Sequence, residues 1–303
     1  IDKQHRFGVS ERKLMTEKGD NPDILTMTAT PIPRTLSSIF FSEFDVSTID
    51  SLPKGRGKTI TKIINKESLE ETYTFIEDQL NKGRQGFVIC PIIKKSKLDE
   101  FSNLSDVETT YLDLKNKRFQ KFNLEMMNGL ISSDKKEKIM RDFKNRKIDL
   151  LVSTTVIEVG VDVPNATFMI INNPERFGLA QLHQLRGRVG RGNIKSNCIL
   201  LYKENFGQIA KERIKIMRKT NDGFKIAEKD LEIRGPGEIL GKKQSGFPNF
   251  YIADLTFDKD LFDSVRLEIE DLIINNKINI NENHKNLLYL FEKDIALKTL
   301  KSG

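Results

Sequence analysis

The chain has 303 residues, of which 31% are charged and 38% hydrophobic, with no tryptophan, two cysteines and a net charge of +7. That length predicts about two domains with real cores, and the balance excludes collagen-like, low-complexity and disulfide-stapled chains. Cys90 and Cys198 have no Cys or His near them at ligand spacing, so neither a zinc site nor a disulfide framework follows, and a reduced, cytoplasmic protein is expected.

No apolar run reaches the roughly 18–20 residues that span a bilayer, so no membrane partner is expected, and the opening residues lack a signal-peptide pattern. The basic balance places nucleic acid first among partner classes. The charge is uneven, with ten basic and six acidic residues between Phe206 and Phe250.

Residues 1–50 combine a polar opening, a short apolar run at Ile24–Met27 and a Thr/Pro-rich segment, and are expected to be the remnant of a larger domain. Ser51–Thr59 (SLPKGRGKT) mixes Pro, Gly and Lys without apolar periodicity and reads as a linker. Short apolar runs at Ile60–Ile64, Phe87–Ile93, Leu150–Val152, Thr167–Ile171 and Cys198–Tyr202 then predict buried parallel strands.

Leu69, Tyr73, Ile76 and Leu80 fall on one face of a helix that Gly83 is placed to end. A second helix is predicted to open near Ser133–Asp134, with Glu137 as a reciprocal cap and Ile139, Met140 and Phe143 facing the core. Alternating strands and helices predict an α/β fold with a doubly wound parallel sheet. Beyond it, charged helices are broken by the Gly-rich stretch Arg234–Gly246, and helical spacing from about Lys259 predicts an appendage.

Within QLHQLRGRVGRG, Arg188 and Arg191 lie three apart, each preceded by a glycine, Gly187 and Gly190. Bare backbone and two permanently charged planar forks suit a phosphate chain. Alone, such a pair is ordinarily a solvated basic turn. Upstream, Ser153–Pro164 (STTVIEVGVDVP) follows a predicted strand and places hydroxyls, Gly160 and Asp162 at the carboxyl edge of the sheet, where open α/β folds bind ligands. Two further blocks stand nearer the start, Thr28–Thr35 (TATPIPRT) and Asp2–Gly8 (DKQHRFG). An acid at a strand end is where nucleotide hydrolases hold Mg²⁺. Gly55–Thr59 (GRGKT) is not a phosphate loop, because the first glycine of that motif would fall at Leu52.

In this order and spacing the blocks resemble the motor of superfamily 2 helicases, and most closely the RecG family of bacterial ATP-dependent branched-DNA helicases. DKQHRFGV resembles the family's Walker B segment, TATPIPRT its coupling motif, STTVIEVGVDVP its motif five and QLHQLRGRVGRG its motif six. Ile226–Phe250 (IAEKDLEIRGPGEILGKKQSGFPNF) is similar to the translocation hairpin shared by RecG and the transcription-repair coupling factor Mfd.

The resemblance implies a RecA-like sheet, ATP and Mg²⁺ as cofactors, and branched double-stranded DNA, such as forks and Holliday junctions, as partner of a monomer. It implies that Asp2 holds Mg²⁺ through water, that Arg188 and Arg191 act as arginine fingers, and that Gln184 lines the same cleft. Gly160, Asp162 and Gly187 would border the nucleotide, Thr28, Thr30 and Thr155 would contact the tracked strand or relay hydrolysis, and Arg234 and Gln244 would couple the motor to duplex DNA.

The expected layout is 1–50 as remnant of a first RecA-like domain, 51–58 linker, 59–205 second RecA-like domain, 206–250 hairpin and 251–303 appendage.

Two departures stand out. The family reads Asp-Glu-Gln-His, but the Glu position is Lys3 here, and a lysine ammonium has no lone pair with which to take a proton from water. Asn128 stands before Gly129 where relatives carry His. With no phosphate loop in the chain, this stretch alone is expected not to hydrolyse ATP. The alternatives are a degenerate, non-hydrolysing DNA-binding module and an Mfd-type translocase.

Overall fold

The computed structural model describes residues 57–92, 106–158, 162–202 and 207–234, together with 23–25, 27, 47, 49, 258, 261, 264, 265, 267 and 268. The chain forms two compact units, the first containing residues 49–227 and the second taking up the chain from Glu228.

The first unit is built on six strands, β1 (Thr59–Asn65), β2 (Gln85–Ile89), β3 (Leu124–Met127), β4 (Leu150–Ser153), β5 (Ala166–Asn172) and β6 (Ser196–Tyr202). They lie in the order β1-β6-β5-β2-β4-β3, and every neighbouring pair is parallel. Parallel neighbours need crossovers. These are supplied by α1 (Leu69–Asn81), α2 (Val107–Asp113), α3 (Ser133–Lys144) and α4 (Leu179–Arg186), and α5 (Gln208–Lys219) and α6 (Gly223–Arg234) follow the last strand.

Side chains alternate across a strand, so each apolar run feeds two cores. Phe87, Ile89, Leu151, Met169 and Leu200 pack on one face with Ile139, Met140 and Phe143 of α3, Leu182 and Leu185 of α4 and Met217 of α5. Val88, Leu150, Val152, Phe168 and Ile199 pack on the other with Ile76 and Leu80 of α1 and Val107 of α2. The doubly wound α/β sheet expected from the sequence is therefore present.

Gly83 ends α1 in the left-handed region at φ 68°, as its position predicts. Three local expectations are corrected. Strand β3 was not anticipated, because its four residues include Glu125 and its middle is only half-buried at the sheet edge. Strand β2 ends at Ile89 rather than Ile93, and Cys90 N–H donates to Ser153 O at 2.9 Å. Glu137 does not cap α3. Ser132 is the cap residue and the third position after it is Lys135, so Glu137 lies a half-turn too far and pairs with Arg141 at 2.7 Å instead.

Cys90 and Cys198 are both fully buried, and burial pushes their thiols up to about 11 and about 12 respectively. Neither thiol should react with an aromatic disulfide reagent at pH 8 until the chain unfolds, and prompt labelling of the native chain would contradict this burial. Because both folded values are raised above an unfolded value of about 8.5, their stabilising contribution is complete below that pH and declines as the pH rises from there through 11 to 12. Urea midpoints measured at pH 8 and pH 10 should fall in that order.

Candidate functional site

The parallel register brings the carboxyl ends of the central strands into one row. Ile89 lies opposite both Ser153 and Ile171, and Ser153 lies opposite Met127. From β2 the chain leaves toward β3 on one flank, whereas from β5 it leaves toward β6 on the other, so a topological switch point falls between these two strands. Polar groups gather there. Asn172 Nδ2 donates to Cys90 Sγ at 3.6 Å, and the Cys90 thiol donates to Thr110 Oγ1 at 3.5 Å. Asp106 caps α2 by accepting from Thr109 N–H at 2.8 Å. Its second oxygen, like Ser153 Oγ at the end of β4, is buried without a hydrogen-bond partner among the described residues.

Thr155 opens a short 3-10 turn directly after β4 and is half-buried at this edge. Asn128, beyond the end of β3, is buried, and its Oδ1 accepts from Leu130 N–H at 3.0 Å. This Asx turn is a local role that an asparagine fills well.

The arginine segment begins as helix α4, whose Leu179, Leu182 and Leu185 are buried while Gln184 is half-buried. Past the helix the coil tightens, with Gly187 N–H donating to His183 O at 3.0 Å and Arg188 N–H to Leu185 O at 2.9 Å. Gly187 keeps helical backbone angles, φ −65° and ψ −7°, so its conformation does not demand glycine. Gly190 does: its φ is 77°, and a Cβ there would lie 2.4 Å from Thr59 Oγ1 of β1. The bare backbone at Gly190 thus meets its own sheet, whereas the sequence suggested an approach to a ligand.

Arg188 is half-buried and Arg191 exposed on either side of the buried Val189 and Gly190. Arg191 Nε donates to Gly187 O at 3.2 Å, and its Nη1 lies 3.4 Å from Asp162 Oδ1. Four residues predicted for the site, Asp162, Gly187, Arg188 and Arg191, therefore share one turn region. The Arg191–Asp162 pair is exposed and long, and such pairs contribute at most about 1 kcal/mol, so a stronger anion can displace it. Two planar, permanently charged guanidiniums are chemically suited to a phosphate-bearing nucleotide.

Asp2, Thr28, Thr30, Gly160 and Gln244 lie outside the described residues, as does the side chain of Arg234. Among the described residues no group of three His, Cys, Asp or Glu could hold a metal, so the Mg²⁺ expectation rests on Asp2. None of the described helices is long and apolar enough to cross a membrane.

One residue of the segment was missed. Arg186 is only 4% exposed, and its Nη1 donates to Met217 O at 2.8 Å and Thr220 O at 2.9 Å, with Thr61 Oγ1 at 3.4 Å. It follows Leu179 by seven positions and Leu182 by four, so helical spacing alone places it on the buried face of α4.

Comparison with known proteins follows this architecture. Residues 66–193 match the family described as "Helicase conserved C-terminal domain", and residues 220–301 match "ATP-dependent DNA helicase RecG, domain 3, C-terminal". The chain is 48% identical over 273 residues to the ATP-dependent DNA helicase RecG of Bacillus subtilis, covering 90% of this chain and 39% of that protein. It is 49% identical over 269 residues to the RecG of Streptococcus pneumoniae, covering 88% of this chain and again 39% of the relative.

The chain thus spans about two fifths of the length of these curated relatives. A solved structure of RecG bound to a three-way DNA junction superposes with a TM-score of 0.65 at 41% identity, over 87% of this chain and 33% of that one. The Mycobacterium smegmatis helicase Lhr, 13% identical with a TM-score of 0.51 over 69% of this chain and 28% of the other, shares the fold alone. The sheet is RecA-like, of the helicase carboxyl-terminal type, and by sequence and structure the chain belongs to the RecG family.

Proposed function

We propose that this chain is the carboxyl-terminal part of an ATP-driven double-stranded DNA translocase that remodels stalled forks and Holliday junctions in DNA repair and recombination. The observation that carries the reading is the arginine turn, in which Arg188 and Arg191 flank a backbone pressed onto β1 while Arg191 bonds Gly187 O and pairs with Asp162 at long range. The RecG of the solved structure is bound to a three-way DNA junction, which supports branched DNA as the partner here.

ATP, when bound, supplies the phosphoryl group whose transfer drives the motor. Arg188 and Arg191 neutralise the charge that develops on that group, a contribution worth about three to five powers of ten in rate in this reaction class. Asp162 holds the Arg191 guanidinium beside the turn, ready to exchange one oxygen partner for another. Gln184 borders the same cleft from α4, Gly160 and Gly187 would border the nucleotide, and Asp2 would hold Mg²⁺. Thr28, Thr30 and Thr155 serve the DNA side of the motor, and Arg234 and Gln244 pass its closure to the duplex. The layout in this reading is a first-domain remnant at 1–50, a linker at 51–58, the second RecA-like domain at 59–205, a hairpin at 206–250 and an appendage at 251–303, in a monomeric cytoplasmic protein.

Lys3, in the position of the water-activating glutamate, motivates a second reading, a DNA-binding module that does not hydrolyse ATP. Fork-stimulated ATP hydrolysis by the full-length protein, compared with its Lys3→Glu variant at one fixed salt concentration, separates the two. The motor reading expects hydrolysis at least in the glutamate form. Silence in both forms, with fork binding retained, would favour the module. DNA binding itself should weaken steeply with salt, as phosphate neutralisation releases counterions.

A further inference from the structure

The arginine turn lies at the amino ends of the strands, on the edge of the sheet opposite to the polar groups at the carboxyl ends. Gly190 meets Thr59 at the start of β1, and a Cβ at Gly192 would fall 2.9 Å from Pro164 O, just before β5. The stretch from Asp162 to Asn165 is thus pressed against the turn that carries Arg191, and Asp162 Oδ1 lies 3.4 Å from Arg191 Nη1. Within that stretch Val163 is buried in the core.

Behind it runs a chain of side-chain amides to which the motor reading gives no part. Asn165 Nδ2 donates to Gly83 O, in the turn that ends α1, at 3.1 Å, and to Gln85 Oε1 at 3.0 Å. Gln85 is 1% exposed, and its Nε2 donates at 2.6 Å to both Phe143 O and Ile148 O, on either side of the turn between α3 and β4. Gln85 is the one side chain of the fully buried β2 (QGFVI) that carries hydrogen-bonding groups, and burying an amide is costly unless its bonds are made. Here both amide hydrogens and the oxygen are used. The backbone ladder is irregular at the same point, because Gln85 lies opposite Ala166 and Gly86 opposite Phe168, which skips Thr167. Such irregularities re-aim the chain beside them, so the side-chain amides supply the fixed point that a regular ladder would otherwise give.

We propose that Gln85 and Asn165 are positioning residues, whose amide chain ties the start of β5 to the turns after α1 and α3 and so sets where Asp162 meets Arg191. This role rests on the motor reading above and adds to it the support that keeps the acid in place. The Asp162–Arg191 pair is too exposed and too long to fix its own geometry. Asn165 is the anchored residue nearest to Asp162 along β5, so its loss lets the acid drift and leaves the Arg191 guanidinium less well aimed. An arginine finger acts on charge that develops in the transition state, and misplacing it lowers kcat more than it changes KM.

The experiment uses the full-length protein, in its parental or Lys3→Glu form according to which hydrolyses ATP, and records thermal unfolding, kcat and KM for fork-stimulated hydrolysis. The variants are Asn165→Ala, Asn165→Asp, Gln85→Met, Asp162→Ala and the double variant Asp162→Ala with Asn165→Ala. Asn165→Ala should lower kcat about tenfold with KM within about twofold of the starting protein. Asn165→Asp keeps the size of the side chain but cannot donate, and should lose at least as much. Asn165 is half-buried, so water replaces part of what it gives, and the unfolding temperature should fall by about 5 °C or less. In the Asp162→Ala background, Asn165→Ala should lower kcat by no more than about twofold further, because both changes remove the same placement. A purely structural role would instead multiply the two losses. Starting values of kcat in both Asn165 variants or in Asp162→Ala would overturn the assignment, as would multiplied losses or a rise in KM with kcat unchanged. Gln85→Met should repeat the Asn165→Ala result; if it does not fold, the Asn165 variants decide alone. Absence of fork-stimulated hydrolysis in both the parent and its Lys3→Glu form would overturn the motor reading itself, and this role with it.

Discussion

Replacing Arg191 with Ala in the full-length protein should abolish fork-stimulated ATP hydrolysis, lowering it by about three powers of ten or more, while the unfolding temperature stays where it was. The fold should not notice the change, because the guanidinium is exposed and, among the described residues, bonds only Gly187 O and the exposed Asp162 carboxylate. Arg188→Ala should have a similar effect on turnover. Two fingers that share one charge-stabilising task are not additive, so the double variant should be hardly slower than either single one. The assay is single-turnover hydrolysis with saturating forked DNA, accompanied by nucleotide binding. Near-parental turnover in Arg191→Ala would remove the finger assignment from that residue. A parallel loss of thermal stability would show instead that the turn is needed to hold the fold.

Gly190→Ala should be the most damaging single change of backbone. A left-handed backbone at φ 77° costs a residue with a Cβ about 1 kcal/mol or more, and the overlap with Thr59 Oγ1 at 2.4 Å adds a repacking cost of about 1–3 kcal/mol. The sum, about 2–4 kcal/mol, would appear as a lower urea midpoint with an unchanged slope. The two contributions can be separated. Thr59→Ala removes the clashing hydroxyl, so the double variant Gly190→Ala with Thr59→Ala should regain the overlap part and keep the backbone part. Strict additivity of the two single changes would mean that Thr59 is not what excludes a side chain at Gly190. Since Gly190 lies between the two arginines, the single variant should also lose hydrolysis at temperatures where it is still folded.

The alternation of strands and helices was legible because each buried strand is a short run rich in β-branched and aliphatic residues. Such runs satisfy both faces of a sheet at once, as Leu150, Leu151 and Val152 do in the two cores. The helix over Leu69–Asn81 was legible for the complementary reason, since four apolar residues at helical spacing need one partner surface. Strand β3 escaped because an edge strand of four residues needs little burial and therefore leaves little pattern. Glu137 misled for a different reason: capping depends on the position of the first helical residue, and a shift in where α3 starts turned a cap into an i, i+4 ion pair with Arg141.

At the site, Arg188 and Arg191 were singled out by their company, because a lone pair of arginines beside glycines is ordinarily a solvated turn and only the neighbouring blocks and the family resemblance point to a phosphate. Their neighbour Arg186 has the same side chain, and its different situation follows from the packing of α4. By itself the sequence determined the α/β alternation, the basic character and the arginine pair, since these follow from local periodicity and from the chemistry of single side chains. Only the tertiary structure decided that Gly190 is required by Thr59, that Asp162 meets Arg191 from 29 residues away and that Arg186 is buried against carbonyls of α5. Those contacts join segments far apart in the chain, and the distance between two such segments is set by how the sheet and its helices pack, which no local pattern encodes.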